Sequence, residues 1–74
     1  MSEEDLKTLQ KALAKAKRIA IERAGELHDL VEERLPAAYE ELPAVAQATY
    51  EACQTWAKTE AACRAAAANI INPG

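Results

Sequence analysis

The residue best suited to chemistry in this sequence is His28, the only histidine of the chain. It lies in an acidic stretch, residues 26–33, and Glu32 follows it at the four-residue spacing of one helical turn. Imidazole and carboxylate groups bind divalent transition metals such as nickel or zinc. The spacing predicts a weak metal site formed by His28 with Glu32, or by His28 from two copies of the chain. The alternative is an interface histidine that hydrogen-bonds Thr49 or a carboxylate.

The two cysteines do not predict a disulfide or a nucleophile. Cys53 and Cys63 are ten residues apart in one predicted helix, which separates them by roughly 15 Å, too far for a bridge within the chain. We expect reduced thiols that pack as small core residues in a reducing compartment. His28 has no cysteine at helical spacing and the chain has no glycine-rich phosphate loop, so we expect no enzyme and no required cofactor.

Charge is divided unevenly along the chain, although the net formal charge is only −3. Residues 6–21 contain five bases and no acid, whereas residues 22–41 carry seven acids and two arginines. A basic stripe, defined as Lys7, Lys11, Lys15 and Arg18, follows one helical face and could meet phosphates. Because no aromatic residue interleaves it, we interpret the stripe as a solvated face and do not expect nucleic-acid binding.

The hydrophobic pattern argues against a membrane protein. No apolar run approaches the ~20 residues that a membrane span requires. The first residues are acidic, whereas a signal peptide would begin with bases. We therefore expect a cytoplasmic protein.

Composition and periodicity predict one domain, residues 1–74, with two helices. Alanine is abundant, glycine is rare, and two prolines, Pro36 and Pro43, mark a turn. We expect helix 1 at about 3–34, the turn at about 35–42 and helix 2 at about 43–70. Folding the chain back at residues 38–39 also places Lys17 opposite Glu60, which predicts an ion pair. The predicted facing stripes are Leu6, Leu9, Leu13, Ala16, Ala20, Ala24, Leu27 and Val31 in helix 1, and Ala46, Thr49, Cys53, Trp56, Cys63, Ala67 and Ile70 in helix 2.

A hairpin of this size needs a partner. Below roughly 80 residues, a single core rarely supplies more than ~3–5 kcal/mol of stability. This chain has 74 residues. Both stripes widen near their middle, and an isologous dimer would cover the extra surface with a second copy of itself. The predicted fold is all-α, an antiparallel two-helix hairpin that dimerises into a four-helix bundle. Its predicted interface residues are Ile21, Ala24, His28, Val31, Tyr50 and Ala57.

Two segments carry a family resemblance. The chain reads GELHDLVEERLP from Gly25 to Pro36 and ATYEAC up to Cys53. Together they resemble a family of small Rop-like bacterial proteins encoded among nitrogen-fixation genes. The resemblance implies a hairpin that dimerises into a Rop-like four-helix bundle, in nitrogen-fixing bacteria, with a molecular role that is not assigned for the family. The family's histidine matches His28, which strengthens the metal hypothesis.

The sequence and the resemblance together predict a non-enzymatic accessory protein of nitrogen fixation. We expect a homodimer that acts as an assembly or protein-interaction factor for nitrogenase or its metallocluster machinery. The alternatives are a small divalent-metal-binding protein centred on His28 and a Rop-like nucleic-acid-binding bundle that uses Lys11, Lys15 and Arg18. The name Rop-like describes an architecture and does not bring RNA binding with it.

Overall fold

Two long helices and the turn that joins them form the described structure. The structure is a computed structural model that describes residues 3–71, and the side chains of residues 3–69. Helix α1 (Glu3–Asp29) continues into a π-helical turn (Leu30–Arg34), and a short 3₁₀ helix (Tyr39–Glu41) leads into helix α2 (Leu42–Ile71). The two helices run antiparallel in a rod of 57 × 15 × 13 Å. The prediction of an all-α helical hairpin is confirmed.

The start of α1 follows from its charges. Glu3, Glu4 and Asp5 occupy its first turn, where the unpaired backbone N–H groups and the positive end of the helix dipole favour carboxylates. No described helix is both long enough and apolar enough to cross a membrane.

Backbone hydrogen bonds close the turn between the helices. The N–H of Leu35 donates to the carbonyl of Leu30 at 3.0 Å, which is the five-residue spacing of a π-helix. The Leu35–Pro36 peptide bond is cis. Across the turn, the Arg34 guanidinium donates to both carboxylate oxygens of Glu41, at 2.9 and 3.2 Å. Both bonds come from one nitrogen, Nη1, and this half-exposed ion pair links the entry and the exit of the turn.

The contact between the helices follows a heptad pattern. Steps of three and four residues alternate along α1, and α2 keeps the pattern with one step of seven, from Ala52 to Thr59, that passes the more exposed Trp56. The facing residues of α1 are Leu6, Leu9, Leu13, Ala16, Ala20, Arg23, Leu27 and Leu30, and those of α2 include Leu42, Val45, Thr49, Ala52, Thr59, Cys63 and Ala66. One contact marks the register, because the Thr49 hydroxyl lies within hydrogen-bond distance of the Arg23 carbonyl, at 3.1 Å. The same hydroxyl also lies 2.9 Å from the carbonyl of Val45 in its own helix.

Several predicted facing residues are wrong. Ala24, Val31, Ala46 and Cys53 are exposed, and their sequence neighbours Arg23, Leu30, Val45 and Ala52 lie between the helices instead. The predicted ion pair of Lys17 with Glu60 is also wrong, since Glu60 pairs with Arg64 one turn along α2. The predicted contact of Ile70 lies outside the described side chains.

The core of the hairpin is small. Among the described side chains, the buried apolar residues are Ala16, Leu30, Cys63 and Ala66, and only Leu30 is large. Two helices can shield one stripe of each other and leave the remaining surface in water. The fold therefore leaves large apolar side chains exposed.

Candidate functional site

An exposed apolar surface lies near the middle of the rod. A shallow groove of about 220 Å³ runs between the helices there, and its lining is almost entirely apolar. The residues that line it are Lys17, Ala20, Ile21, Ala24, Cys53 and Trp56. Ile21 is 61% exposed and Trp56 is 37% exposed, so Ile21 is largely uncovered at the groove and Trp56 is covered in part.

The groove belongs to a longer surface, which we call the apolar face. Since Ile21, Ala24 and Cys53 line one groove, residues three or four positions away on each helix lie on the same side of the hairpin. On α1 and the π-helical turn, this rule adds His28 and Val31. On α2 it adds Ala46, Tyr50 and Ala57. Tyr50 is 61% exposed and Val31 is 52% exposed, which is unusual for side chains of this size in a small core-forming protein.

The six predicted interface residues are all exposed, and the spacing rule that defines the apolar face includes each of them. Ile21, Ala24, His28 and Val31 are exposed on the first helical segment, and Tyr50 and Ala57 are exposed on α2. Ala24 and Val31 were also expected between the two helices of one hairpin. The structure assigns them to the outer apolar face alone.

Sequence reasoning missed the position of Lys17 in the groove. The expected partner of this lysine was Glu60, yet its aliphatic stem contributes to the groove lining beside Ile21. A lysine commonly places its methylene groups on apolar surface and its ammonium in water. The signal was present in the spacing, because Lys17 precedes Ile21 by four residues.

His28 and Glu32, the predicted metal ligands, lie close together in the structure. The His28 Nε2 atom lies 3.3 Å from a Glu32 carboxylate oxygen, and its Nδ1 atom lies 3.8 Å from Asp29. Both His28 and Glu32 side chains are 64% exposed. The helical spacing of the two residues accounts for this geometry, and it presents one imidazole and one carboxylate to solvent. Among the residues that the structure describes, no group of three or more histidine, cysteine or acidic side chains could enclose a metal.

The two cysteines differ in their surroundings. Cys63 is buried between the helices, as expected for a small core residue. Cys53 is exposed and lines the groove, so its predicted core position is wrong. The cause is the one-residue shift of the contact stripe, which places Ala52 inside and Cys53 outside.

The basic stripe lies on the outside of the rod. Lys7, Lys11, Lys15 and Arg18 are all exposed. The groove lining includes none of them. They therefore form a surface distinct from the apolar face.

The comparison with known families agrees with this architecture. A family model described as Rop-like matches residues 4–68, which includes α1, the turn and most of α2. Neither the curated proteins nor the solved structures contain a match. The matched range covers nearly the whole hairpin, and the chain belongs to the Rop-like family.

Proposed function

We propose that this chain is a non-enzymatic helical accessory protein that works as a homodimer joined through its apolar face. The observation that carries the proposal is the exposure of Ile21, Val31, Tyr50 and Trp56 along one side of the hairpin. Fully covering a large apolar side chain contributes about 1.5–3 kcal/mol. A symmetric pair would cover this set twice, since an isologous interface uses the same patch on both copies.

The stability of the hairpin supports the same proposal. Its own core contains one large buried residue, Leu30, and small single cores rarely supply more than ~3–5 kcal/mol. A second hairpin placed on the apolar face would convert two helices with one shared stripe into a four-helix bundle with a common core. Dimerisation would thus contribute to folding as well as to function.

A matched pair of tyrosine variants tests the dimer. Tyr50 lies on the apolar face, whereas Tyr39 lies in the turn and is equally exposed, at 64% against 61%. Tyr50→Glu would bury an unpaired charge in the interface, twice per dimer, so we expect the dissociation constant to rise by roughly 100-fold or more. Tyr39→Glu should leave it nearly unchanged. Sedimentation equilibrium measures both, and a stable monomeric wild type at micromolar concentration would contradict the proposal.

The biological setting is proposed from the sequence resemblance. Because the segments around His28 and Tyr50 resemble proteins encoded among nitrogen-fixation genes, we assign the dimer to the assembly or support of nitrogenase or its metallocluster machinery. Deleting the gene should lower nitrogenase activity in cells growing on dinitrogen. The wild type should restore activity and Tyr50→Glu should not. Unchanged activity in the deletion strain would remove this assignment.

A second candidate function is weak binding of a divalent metal at His28 and Glu32. The 3.3 Å approach of the imidazole to the carboxylate favours it, and the neighbouring acids draw cations toward the site. Two ligands per chain leave most of the coordination shell to water, so folding should not depend on the metal.

Titration with nickel or zinc while following backbone amide shifts would test this site. We expect changes centred on residues 24–32, lost in His28→Ala and weakened in Glu32→Ala. Glu33→Ala is the matched control, because it removes a neighbouring charge and keeps the pair. Acid should release the metal, since protons compete for the imidazole nitrogen. Equal binding by His28→Ala would end the hypothesis.

A further inference from the structure

The side of α1 that is turned away from α2 carries its charges in two blocks. The basic stripe continues, at the same spacing of three or four residues, into four acids that we call the acidic stripe. Its members are Glu22, Glu26, Asp29 and Glu33. All eight side chains of the two stripes are exposed, and at 1.5 Å per residue they extend over roughly 39 Å. This surface, the charged side of α1, therefore has one basic end and one acidic end.

These charges are largely uncompensated within the hairpin. The four bases and two of the four acids make no ion pair with another described side chain. Of the other two acids, Glu26 pairs with Arg23 at 2.6 Å and Asp29 lies 3.8 Å from His28, yet both carboxylates are more than half exposed. The groove lining includes none of the eight residues. A copy seated on the apolar face would therefore leave the charged side in solvent.

The charged side is complementary to itself when it is reversed. If a second α1 runs antiparallel with residue 20 opposite residue 20, the numbers of facing positions sum to 40 or 41. The facing pairs are then Lys7 with Glu33, Lys11 with Asp29, Lys15 with Glu26 and Arg18 with Glu22. The two-fold axis repeats each pair. Every base of either copy therefore faces an acid of the other.

We propose that the charged side of α1 binds the charged side of a second copy that runs antiparallel to it. This contact goes beyond the proposed homodimer, because it uses a different surface and links one dimer to another. Charge complementarity determines the partner and its direction. A parallel copy would place bases against bases, and a nucleic acid, whose charge has one sign, would be repelled by the acidic stripe.

The contact is weak and sensitive to salt. Exposed ion pairs contribute little individually, and at physiological salt the Debye length is only about 8 Å. Dilute dimers at that salt therefore keep the basic stripe solvated. Low salt or a high protein concentration favours the contact, and because each dimer has two charged sides, the product is an assembly longer than a dimer.

Sedimentation across a salt series tests the contact. We expect the mean mass to grow with protein concentration at about 0.01 M sodium chloride, where the Debye length is about 30 Å, and to stop growing at about 1 M, where it is about 3 Å. Growth that persists at high salt, or no growth at millimolar protein at low salt, would overturn the proposal. The species present at high salt tests the homodimer separately, since monomeric hairpins would still pair through their charged sides at low salt.

Charge-reversed variants test the register of the contact. Lys11→Glu with Lys15→Glu, or Glu26→Lys with Asp29→Lys, would place like charges opposite each other in four facing pairs. Each double variant alone should associate at least about tenfold more weakly at low salt. A mixture of the two should regain the association, because the introduced acids of one then face the introduced bases of the other. Circular dichroism checks that both keep their helicity, and a mixture that stays dissociated would overturn the proposal.

A matched control separates the charged side from net charge. Lys58→Glu with Gln47→Glu and Gln54→Glu changes three exposed positions of α2. One reversal and two added acids take the formal charge from −3 to −7, as Lys11→Glu with Lys15→Glu does. We expect this control to associate like the wild type, and an equal loss would overturn the proposal. An RNA duplex added to the wild type should leave the assembly intact, whereas an RNA complex that replaced it would make the surface a phosphate site instead.

Discussion

Leu30 and Val31 are adjacent in the chain and have opposite surroundings. Leu30 is fully buried between the helices, whereas Val31 is half exposed on the apolar face. Truncating the first leaves a cavity in the core of the hairpin, and truncating the second removes contact area from the dimer. Variants of these two residues therefore distinguish an effect on folding from an effect on association.

We expect Leu30→Ala to lower the free energy of unfolding by about 2–5 kcal/mol. This loss is comparable with the whole free energy of unfolding that a core of this size supplies, so much of the helicity should be lost. Val31→Ala should keep the helicity and raise the dissociation constant. Urea unfolding followed by circular dichroism, at several protein concentrations, measures both effects. If Val31→Ala proved the more damaging to helicity, the contact stripe would have been assigned to the wrong residues.

Arg23 explains why part of the facing stripe could not be predicted. A prediction that selects apolar residues passes over Arg23 and takes Ala24. Leu27 belongs to both stripes, and the choice of Val31 over Leu30 is a separate error between two apolar residues. In the structure Arg23 is partly buried, while its guanidinium donates to Glu26 at 2.6 Å on the exposed side. An arginine stem can line an apolar contact while its charged end stays in water. Residue type alone does not reveal this placement.

At the scale of the elements, α1 has three sides with different surroundings. One side packs against α2, a second carries Ile21 and Ala24 of the apolar face, and a third carries the basic stripe. The division follows from helical periodicity, since positions three or four residues apart share a side. A substitution on one side should therefore leave the other two intact.

Replacing Lys11 and Lys15 by alanine tests the basic stripe. Both side chains are exposed, and alanine is a strong helix former, so the helicity should be retained. Dimerisation at physiological salt should change by less than about threefold, because exposed charges contribute little through screened solvent. Circular dichroism and sedimentation provide the measurements. Tight, salt-sensitive binding of the wild type to structured RNA, with a shallower salt dependence in the variant, would contradict the interpretation of the stripe as a solvated face.

The elements themselves were well marked in the sequence. Pro36 and Pro43 bracket the turn because proline disfavours a helical residue before it and lacks the N–H that a helix interior needs. Pro43 lies in the first turn of α2, where that N–H would be unpaired in any case. The π-helical turn was not anticipated. It depends on a five-residue hydrogen bond from Leu35 to Leu30, which no residue pattern in the segment specifies.

At the scale of the whole molecule, periodicity predicts which sides are apolar but not the pairing of the copies. The hairpin needs one apolar stripe for the contact between its two helices and an apolar face for the contact between copies. Because alanines lie at many neighbouring positions, the sequence allows more than one assignment of residues to the stripe and to the face. The structure separates them through the burial of Leu30 and the exposure of Ile21 and Tyr50. The charge division of the rod was visible in the sequence. That the two signs lie in opposite halves of one rod required the register of Arg23 with Thr49.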